Sequence, residues 1–282
     1  MVVKVKVKLL TKKFLTVTIL VLLALIFAFP FYWMVVTSLQ PLKDFMRFPP
    51  VLFPKHFVPE NYIKAVKYIP FFKYFMNSVR ISIMVTIGAT VTSSFVAYGF
   101  SKIKWPGRDI LFMITLATLM IPFVVLMIPL YIEFKSFGWL GSFKPLWIPA
   151  WFGSAWSIFF LRQFYLTIPS ELTDSAKVDG ASHLHIWFRI ILPLAKPALS
   201  VVALFNFIWT WQDFLRPLIF LNDENMYTIT LGLASFQQRH GGVEWNLMMA
   251  AATLATIPIL ILFIFMNKYL IEGIHITSGL KG

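Results

Sequence analysis

Cysteine is absent from the 282 residues, which excludes a disulfide framework, a thiolate metal site and a cysteine nucleophile. Charge is scarce too: Asp, Glu, Lys and Arg make up 13% of the chain, where a soluble domain carries about a quarter. Acid is scarcer still, with 12 Asp and Glu against 25 Lys and Arg. What fills the gap is apolar. Hydrophobic residues reach 59%, aromatics 17%, and mean hydropathy is +0.76. A single water-soluble core of this length cannot hide that much apolar surface. Disorder, a collagen-like repeat and secretion as a soluble domain are excluded on the same figures. The chain reads as an integral membrane protein. Its net charge of +13 then reads as loop Lys and Arg facing anionic lipid, and no nucleic-acid partner is expected.

A helix needs about 20 mostly apolar residues to cross hydrocarbon. Six stretches qualify, predicting an all-α polytopic protein: Phe14–Val36, Ile81–Phe100, Ile110–Ile132, Pro145–Leu161, Ala198–Phe220 and Leu247–Asn267. The fourth is the shortest, with 17 residues between Lys144 and Arg162, and the fifth carries Asp213 and Arg216 near its end. The first follows five lysines, as a signal peptide would. Its apolar run is too long for one and ends in Phe29-Pro30-Phe31-Tyr32-Trp33, which offers no small-residue cleavage site. It is expected to remain as an anchor.

With the N-terminus inside, fourteen Lys and Arg fall in cytoplasmic segments and nine in external loops, so both termini are expected in the cytoplasm. The external stretch Ser38–Asn77 is rich in Pro and aromatics and is expected to cap the outer interface. Small or hydroxyl residues recur in the second span (Gly88, Thr92, Ser93, Ala97) and the sixth (Ala250, Ala251, Ala255), predicting close helix packing. Pro122 and Pro129 should bend the third span and Pro258 the sixth.

The loop between spans 4 and 5, about residues 169–193, differs in composition from the rest. Pro169 and Ser170 form a helix start, with Glu171 in the first turn complementing the dipole. Leu172, Ala176 and Val178 make a small apolar stripe. Gly180 sits where a helix would stop in a left-handed conformation, and Ser182 can cap a second short helix running through Arg189. Pro193 and Pro197 then break the chain into span 5. The residues therefore predict a helix–Gly–helix at the cytoplasmic surface, either presenting a face to a partner or resting as an amphipathic hairpin on lipid headgroups.

This loop resembles the signature of importer-type ABC transporter permeases: Glu-Ala-Ala, three residues, Gly, nine residues, Ile, one residue, Leu-Pro. The matching positions are Asp174, Ser175, Ala176, Gly180, Ile190, Leu192 and Pro193, with every interval correct. Asp174 replaces the usual Glu, keeping the charge but shortening its reach by one methylene, and Ser175 replaces the usual Ala. Pro169, Glu171 and Val178-Asp179-Gly180-Ala181 are similar to the carbohydrate-uptake branch. So are Asn77-Ser78, Ala97-Tyr98-Gly99-Phe100, Gly107-Arg108, Ile121-Pro122 with Pro129-Leu130-Tyr131, and Trp211-Gln212-Asp213-Phe214-Leu215 before Pro217-Leu218. The ending Gly273…Gly279-Leu280-Lys281-Gly282 resembles the tail of the maltose-permease type of inner-membrane subunit.

The resemblance implies one permease domain over residues 1–282, with the loop acting as a coupling helix that docks on a cytoplasmic ATPase. Glu171, Asp174, Ser175, Ala176, Asp179, Gly180 and Ala181, with Ile190, Leu192 and Pro193 behind them, would form that docking loop, and Gly279, Lys281 and Gly282 an ATPase-contacting tail. It further implies a second permease subunit forming a heterodimer, two ATPase subunits and an external solute-binding protein. Nothing in this chain resembles a phosphate-binding Gly-x4-Gly-Lys-Ser/Thr loop, so the chain is not expected to be an enzyme. ATP and Mg belong to the partner, and no cofactor is expected here. Alternating access would move a mono- or oligosaccharide, the alternatives being glycerol-phosphate, polyol or polyamine import, or a stand-alone secondary transporter.

Asp213 and Arg216 are three apart on a helix and can pair, and ionisable groups within a span are candidates for function. Trp209, Trp211 and Gln212 sit beside them, offering ring faces and an amide to a sugar, or forming an interfacial aromatic belt. These four residues, Trp209, Trp211, Gln212 and Asp213, are the candidate substrate pathway. His183 and His185 are two apart and face different directions on a helix, so no metal site is expected.

Overall fold

The computed structural model describes the backbone of residues 2–45, 47–49, 52–237 and 243–279, and side chains within 12–268 of these. The described residues are helical, with turns and loops between helices and no strand. Two compact units arise: Met1–Ile69 with Leu233–Ala255, and Pro70–Gly232 with Thr256–Gly282.

In the first unit the helix Val2–Ser38 is far longer than its apolar run, because the Lys-rich start continues the helix. Its side chains from Phe14 to Phe31 are largely exposed, as a lipid-facing helix requires. At its end the last carbonyls lack helical partners. Asn61, from the helix Glu60–Tyr68, supplies them: its Nδ2 donates to Ser38 O at 2.9 Å and Gln40 O at 2.8 Å. Asn246 Nδ2 donates in turn to Asn61 Oδ1 at 3.3 Å, and Tyr68 stacks on Phe236 with ring centroids 4.7 Å apart. In the connecting segment His56 Nδ1 donates to the Asp44 carboxylate at 3.0 Å and, with Lys43 and Arg47 nearby, holds that carboxyl below its ordinary range.

The second unit is organised by one helix, Phe71–Lys102, here termed the central helix. It starts ten residues before the expected apolar span, since Lys73, Asn77 and Ser78 are compatible with a helix although not with hydrocarbon. Its C-terminal half packs against the helices Ala155–Thr167 and Lys196–Trp211 around Ala97, Tyr98, Leu161, Tyr165, Ala198 and Val202, all buried. Small residues at Gly88, Ala89, Ser93 and Ala97 let these backbones approach. At the helix end Arg162 makes a clasp. Its Nε donates to Phe100 O at 3.2 Å, its Nη2 lies 3.7 Å from Asp109, and its guanidinium covers the Phe112 ring at 4.1 Å.

Three expected spans are interrupted. The third divides into Arg108–Ala117 and Phe123–Ser136, bent 99° apart. Pro122 has no N–H to offer and forces Ile121 into an extended conformation, so a sharp break replaces the expected bend. The fourth is not one helix either. Lys144–Phe152 forms short helical turns that end at Gly153 (φ +92°), and a regular helix begins only at Ala155. The fifth stops at Trp211 and restarts as Leu215–Phe220. By length and composition, three described helices can cross a membrane: 12–38, 71–102 and 245–268. Two further crossings follow if each of two bent pairs, Arg108–Met120 with Phe123–Ser136 and His183–Leu194 with Lys196–Trp211, counts as one.

Gly232 shows how tightly this unit is assembled. A Cβ added there would overlap the ring of Tyr74, which is only 1% exposed and cannot swing away. Gly232→Ala should therefore destabilise the purified protein by about 1–3 kcal/mol, read as a lower thermal midpoint in detergent. An unchanged midpoint would show that Tyr74 has room to move.

Candidate functional site

The loop after Ala155–Thr167 is built from two helices joined by four residues, 179–182. The first loop helix, Ser170–Val178, starts after Pro169 and buries Thr173, whose hydroxyl donates to Ser170 O at 2.7 Å. It ends at Asp179, and Gly180 takes φ +81°, a left-handed conformation that costs other residues about 1–2 kcal/mol. Gly180 N donates to Lys177 O at 3.0 Å and Ala181 N to Ala176 O at 2.9 Å. Together these bonds make a complete Schellman motif. Next, the Ser182 hydroxyl accepts His185 N at 3.3 Å and caps the second loop helix, His183–Leu194. The spacing from Asp174 to Ser182 is thus the spacing of one helix stop and one helix start with nothing between them.

The loop presents a mixed outer surface. Glu171, Asp174, Ser175, Asp179 and Gly180 are exposed, as are Leu172 and Val178, the latter 88% exposed. Ala176 and Ala181 are half-buried and pack on the core below. Asp174 Oδ1 lies 3.2 Å from Lys177 Nζ one turn on, and both groups are exposed. A pair of this kind is weak, so the carboxylate is free to exchange partners. Ile190 and Leu192 are half-buried within the second loop helix, while Pro193 is exposed. This helix contains a π turn, Trp187–Ile191, and is bent 82° from Lys196–Trp211 at the buried Ala195. Of the expected tail, Gly279 closes the last helix, whereas Lys281 and Gly282 lie outside the described residues.

A second feature opens beside the N-terminal half of the central helix: a cavity of about 370 Å³, within the size range of small-molecule sites. Trp209 and Asp213 line it, but Trp211 and Gln212 do not. Trp211 is 3% exposed and packed in the core between Phe75 and Phe207. Gln212 is exposed at the end of its helix. Asp213 fills the helix break: its Oδ1 accepts the backbone N–H of Arg216 at 3.2 Å, and its Oδ2 lies 3.6 Å from Arg216 Nη1. Arg216 then covers the Phe123 ring at 4.7 Å, joining the fifth span to the second half of the third.

Sequence reasoning missed Asn206 and Thr210, which also line the cavity. Asn206 is 6% exposed, and its Nδ2 donates to Ser157 Oγ at 3.0 Å and Val202 O at 2.9 Å. With both donors committed, the amide offers an acceptor to the cavity. The signal was present in the sequence, since Asn206, Thr210 and Asp213 recur at helical spacing on one face. The wall thus combines aromatic rings, an amide oxygen, a hydroxyl and a neutralised charge pair, a set suited to a hydroxylated solute without net charge.

Over 278 residues the chain is 33% identical to the trehalose/maltose transport system permease protein MalG of Thermococcus litoralis, covering 96% of this chain and 98% of that one. It is 32% identical over 263 residues to the arabinooligosaccharides transport system permease protein AraQ of Halalkalibacterium halodurans, covering 92% and 93%. It is 30% identical over 268 residues to the sn-glycerol-3-phosphate transport system permease protein UgpE of Brucella abortus, covering 92% and 95%. Among solved structures, a bacterial ABC transporter involved in the import of the acidic polysaccharide alginate shares the fold. Its TM-score is 0.80 at 20% identity, over 91% of this chain and 95% of that one. Residues 89–276, which contain the loop and most of the cavity wall, match the description "binding-protein-dependent transport system inner membrane component", and the chain belongs to that family.

Proposed function

We propose that this chain is one of two permease subunits of an ATP-driven importer for a neutral mono- or oligosaccharide, and that it supplies half of the translocation pathway. The observation that carries this reading is the loop. Its two helices are locked together by the Gly180 Schellman motif and the Ser182 cap, and they leave Glu171, Leu172, Asp174, Val178 and Asp179 facing outward. A rigid surface of mixed acidic and apolar character is what a cytoplasmic ATPase subunit needs in order to push on a membrane bundle. The chain has no phosphate-binding loop of its own, so ATP and Mg are assigned to that partner.

In this reading the chain crosses the membrane six times with both termini in the cytoplasm, and the broken third, fourth and fifth spans line the pathway. Broken helices in hydrocarbon are tolerated where they face protein or a cavity, and the breaks at Pro122 and Asp213 do border the 370 Å³ cavity. ATP-driven closure of two ATPase subunits displaces the loop, and the bundle turns its cavity outward to receive solute from a binding protein. Hydrolysis resets it. The names of the relatives support sugar as cargo, and the paired Asp213 and Arg216 favour a neutral one. The glycerol-phosphate relative keeps an anionic polyol as the second reading, since Arg216 is the more exposed partner of that pair.

Two experiments test this reading. Affinity purification of the tagged chain from membranes should recover an ATPase and a second permease. Asp174→Lys should weaken that recovery, and Gly180→Pro, which can neither adopt φ +81° nor donate to Lys177, should abolish it with insertion unchanged. A chain that purifies alone and still moves solute would overturn the importer. For the cavity, Trp209→Ala should raise the half-saturating solute concentration by about three- to tenfold through loss of an aromatic contact, while Trp211→Phe, in the core, should leave it unchanged.

A further inference from the structure

The second loop helix is joined to the bundle in two ways. One is covalent, through the bend at Ala195 into Lys196–Trp211. The other is a polar ladder onto the central helix. Trp187 Nε1 donates to Ser94 Oγ at 3.0 Å, and one turn away Tyr98 Oη meets His183 Nδ1 at 3.1 Å. Ser94 and Tyr98 are four apart on the central helix, and His183 and Trp187 four apart on the loop helix, so two matched rungs hold one face against the other in antiparallel order. Ring contacts follow the same rungs: Phe95 meets Trp187 edge-on at 5.3 Å, and Tyr98 meets His183 at 6.1 Å.

The rungs end on a buried network. Ser94 is 0% exposed and also bonds Tyr165 Oη at 2.7 Å, which fixes the hydroxyl from a third helix. Buried hydrogen bonds of this kind are costly to break singly, because the abandoned partner has no water to turn to. The loop side of the ladder is adaptable, since Trp187 opens the π turn and such turns recur at functional positions. Outward of Ser94, the same central helix lines the cavity through Ala89, Val85, Ile81 and Ser78. Ala89 is five residues away, about 7.5 Å along the axis.

We propose that Trp187 and His183 are positioning residues of the transport cycle. Through Ser94 and Tyr98 they fasten the loop to the central helix, so that displacement of the loop reaches the cavity as a shift of that helix. This rests on the reading of the loop as the ATPase contact. Trp187→Phe and Tyr98→Phe keep an aromatic ring at each position and remove the polar atom of each rung, so the assembled complex is expected to survive both.

The test uses the complete importer, purified with its ATPase and partner permease. The chain contains no cysteine, so Val85→Cys places a lone thiol of this chain on the cavity wall. Its reaction with a water-soluble maleimide is timed with and without Mg·ATP. ATP should change the rate several-fold in the otherwise unaltered chain. In the Trp187→Phe/Tyr98→Phe double variant ATP should still be hydrolysed, with the ATP-dependent change reduced by about tenfold. Ser94→Ala should reproduce the loss and Ser94→Thr, which keeps the hydroxyl, should restore the change, a pattern that a merely structural role would not give. An undiminished ATP-dependent change in the double variant, with the ATPase bound, overturns the ladder and leaves the docking reading standing. Failure of ATP to alter the thiol in the unaltered chain overturns the docking reading and the ladder with it.

Discussion

In an apolar surround every backbone donor and acceptor has to find a partner inside the protein, and this chain interrupts its helices repeatedly. Several of the interruptions are met by a side chain placed for them. Asn61 closes the end of the first long helix, and Ser93 Oγ accepts Ser154 N at the Gly153 break. Ser78 Oγ accepts Ile229 N, Ser182 starts the second loop helix, and Asp213 takes Arg216 N where the fifth span restarts. Two of these, Ser78 and Ser93, are short polar residues on the central helix. They let the bundle hold broken helices, and the breaks at Pro122 and Asp213 are where its cavity lies.

The central helix answers more of these needs than any other described element. Asn77 Nδ2 donates to Asn225 O and Tyr227 O near its N-terminal end, Ser78 and Ser93 receive broken backbone along its length, and Ser94 and Tyr98 hold the loop. At its C-terminal end Lys102 Nζ donates to Ile168 O at 2.6 Å, just ahead of the first loop helix. A helix tied at so many levels moves as one body or not at all.

Long apolar runs and the loop were legible in the sequence because each has a local cause. Apolar stretches near 20 residues mark helices whatever surrounds them, and the stop at Gly180 and the cap at Ser182 are set by neighbours within five residues. The broken spans were less legible. Pro122 announced a bend, but whether a chain bends or divides depends on what the two halves pack against, and Gly153 carries no such announcement at all. The aromatic pair divides for a reason available in the sequence: Trp209 and Trp211 are two residues apart, so a helix must turn one of them away from any surface the other faces. The structure gives Trp209 to the cavity and Trp211 to the core, and Asn206, one turn before Trp209, lines the cavity where Gln212 does not.

The joint between the two loop helices has an elastic consequence. From Lys177 to His185 its backbone is fixed by hydrogen bonds at Gly180, Ala181 and the Ser182 hydroxyl, and the linker is only as long as those bonds require. A joint with no slack cannot store deformation: it behaves as the elbow of a lever rather than as a spring. Work done on its outer face arrives at its inner face with little lost in compression. In the proposed transport cycle, timing would then be set by the elements at either end of the lever, and not by relaxation of the loop between them.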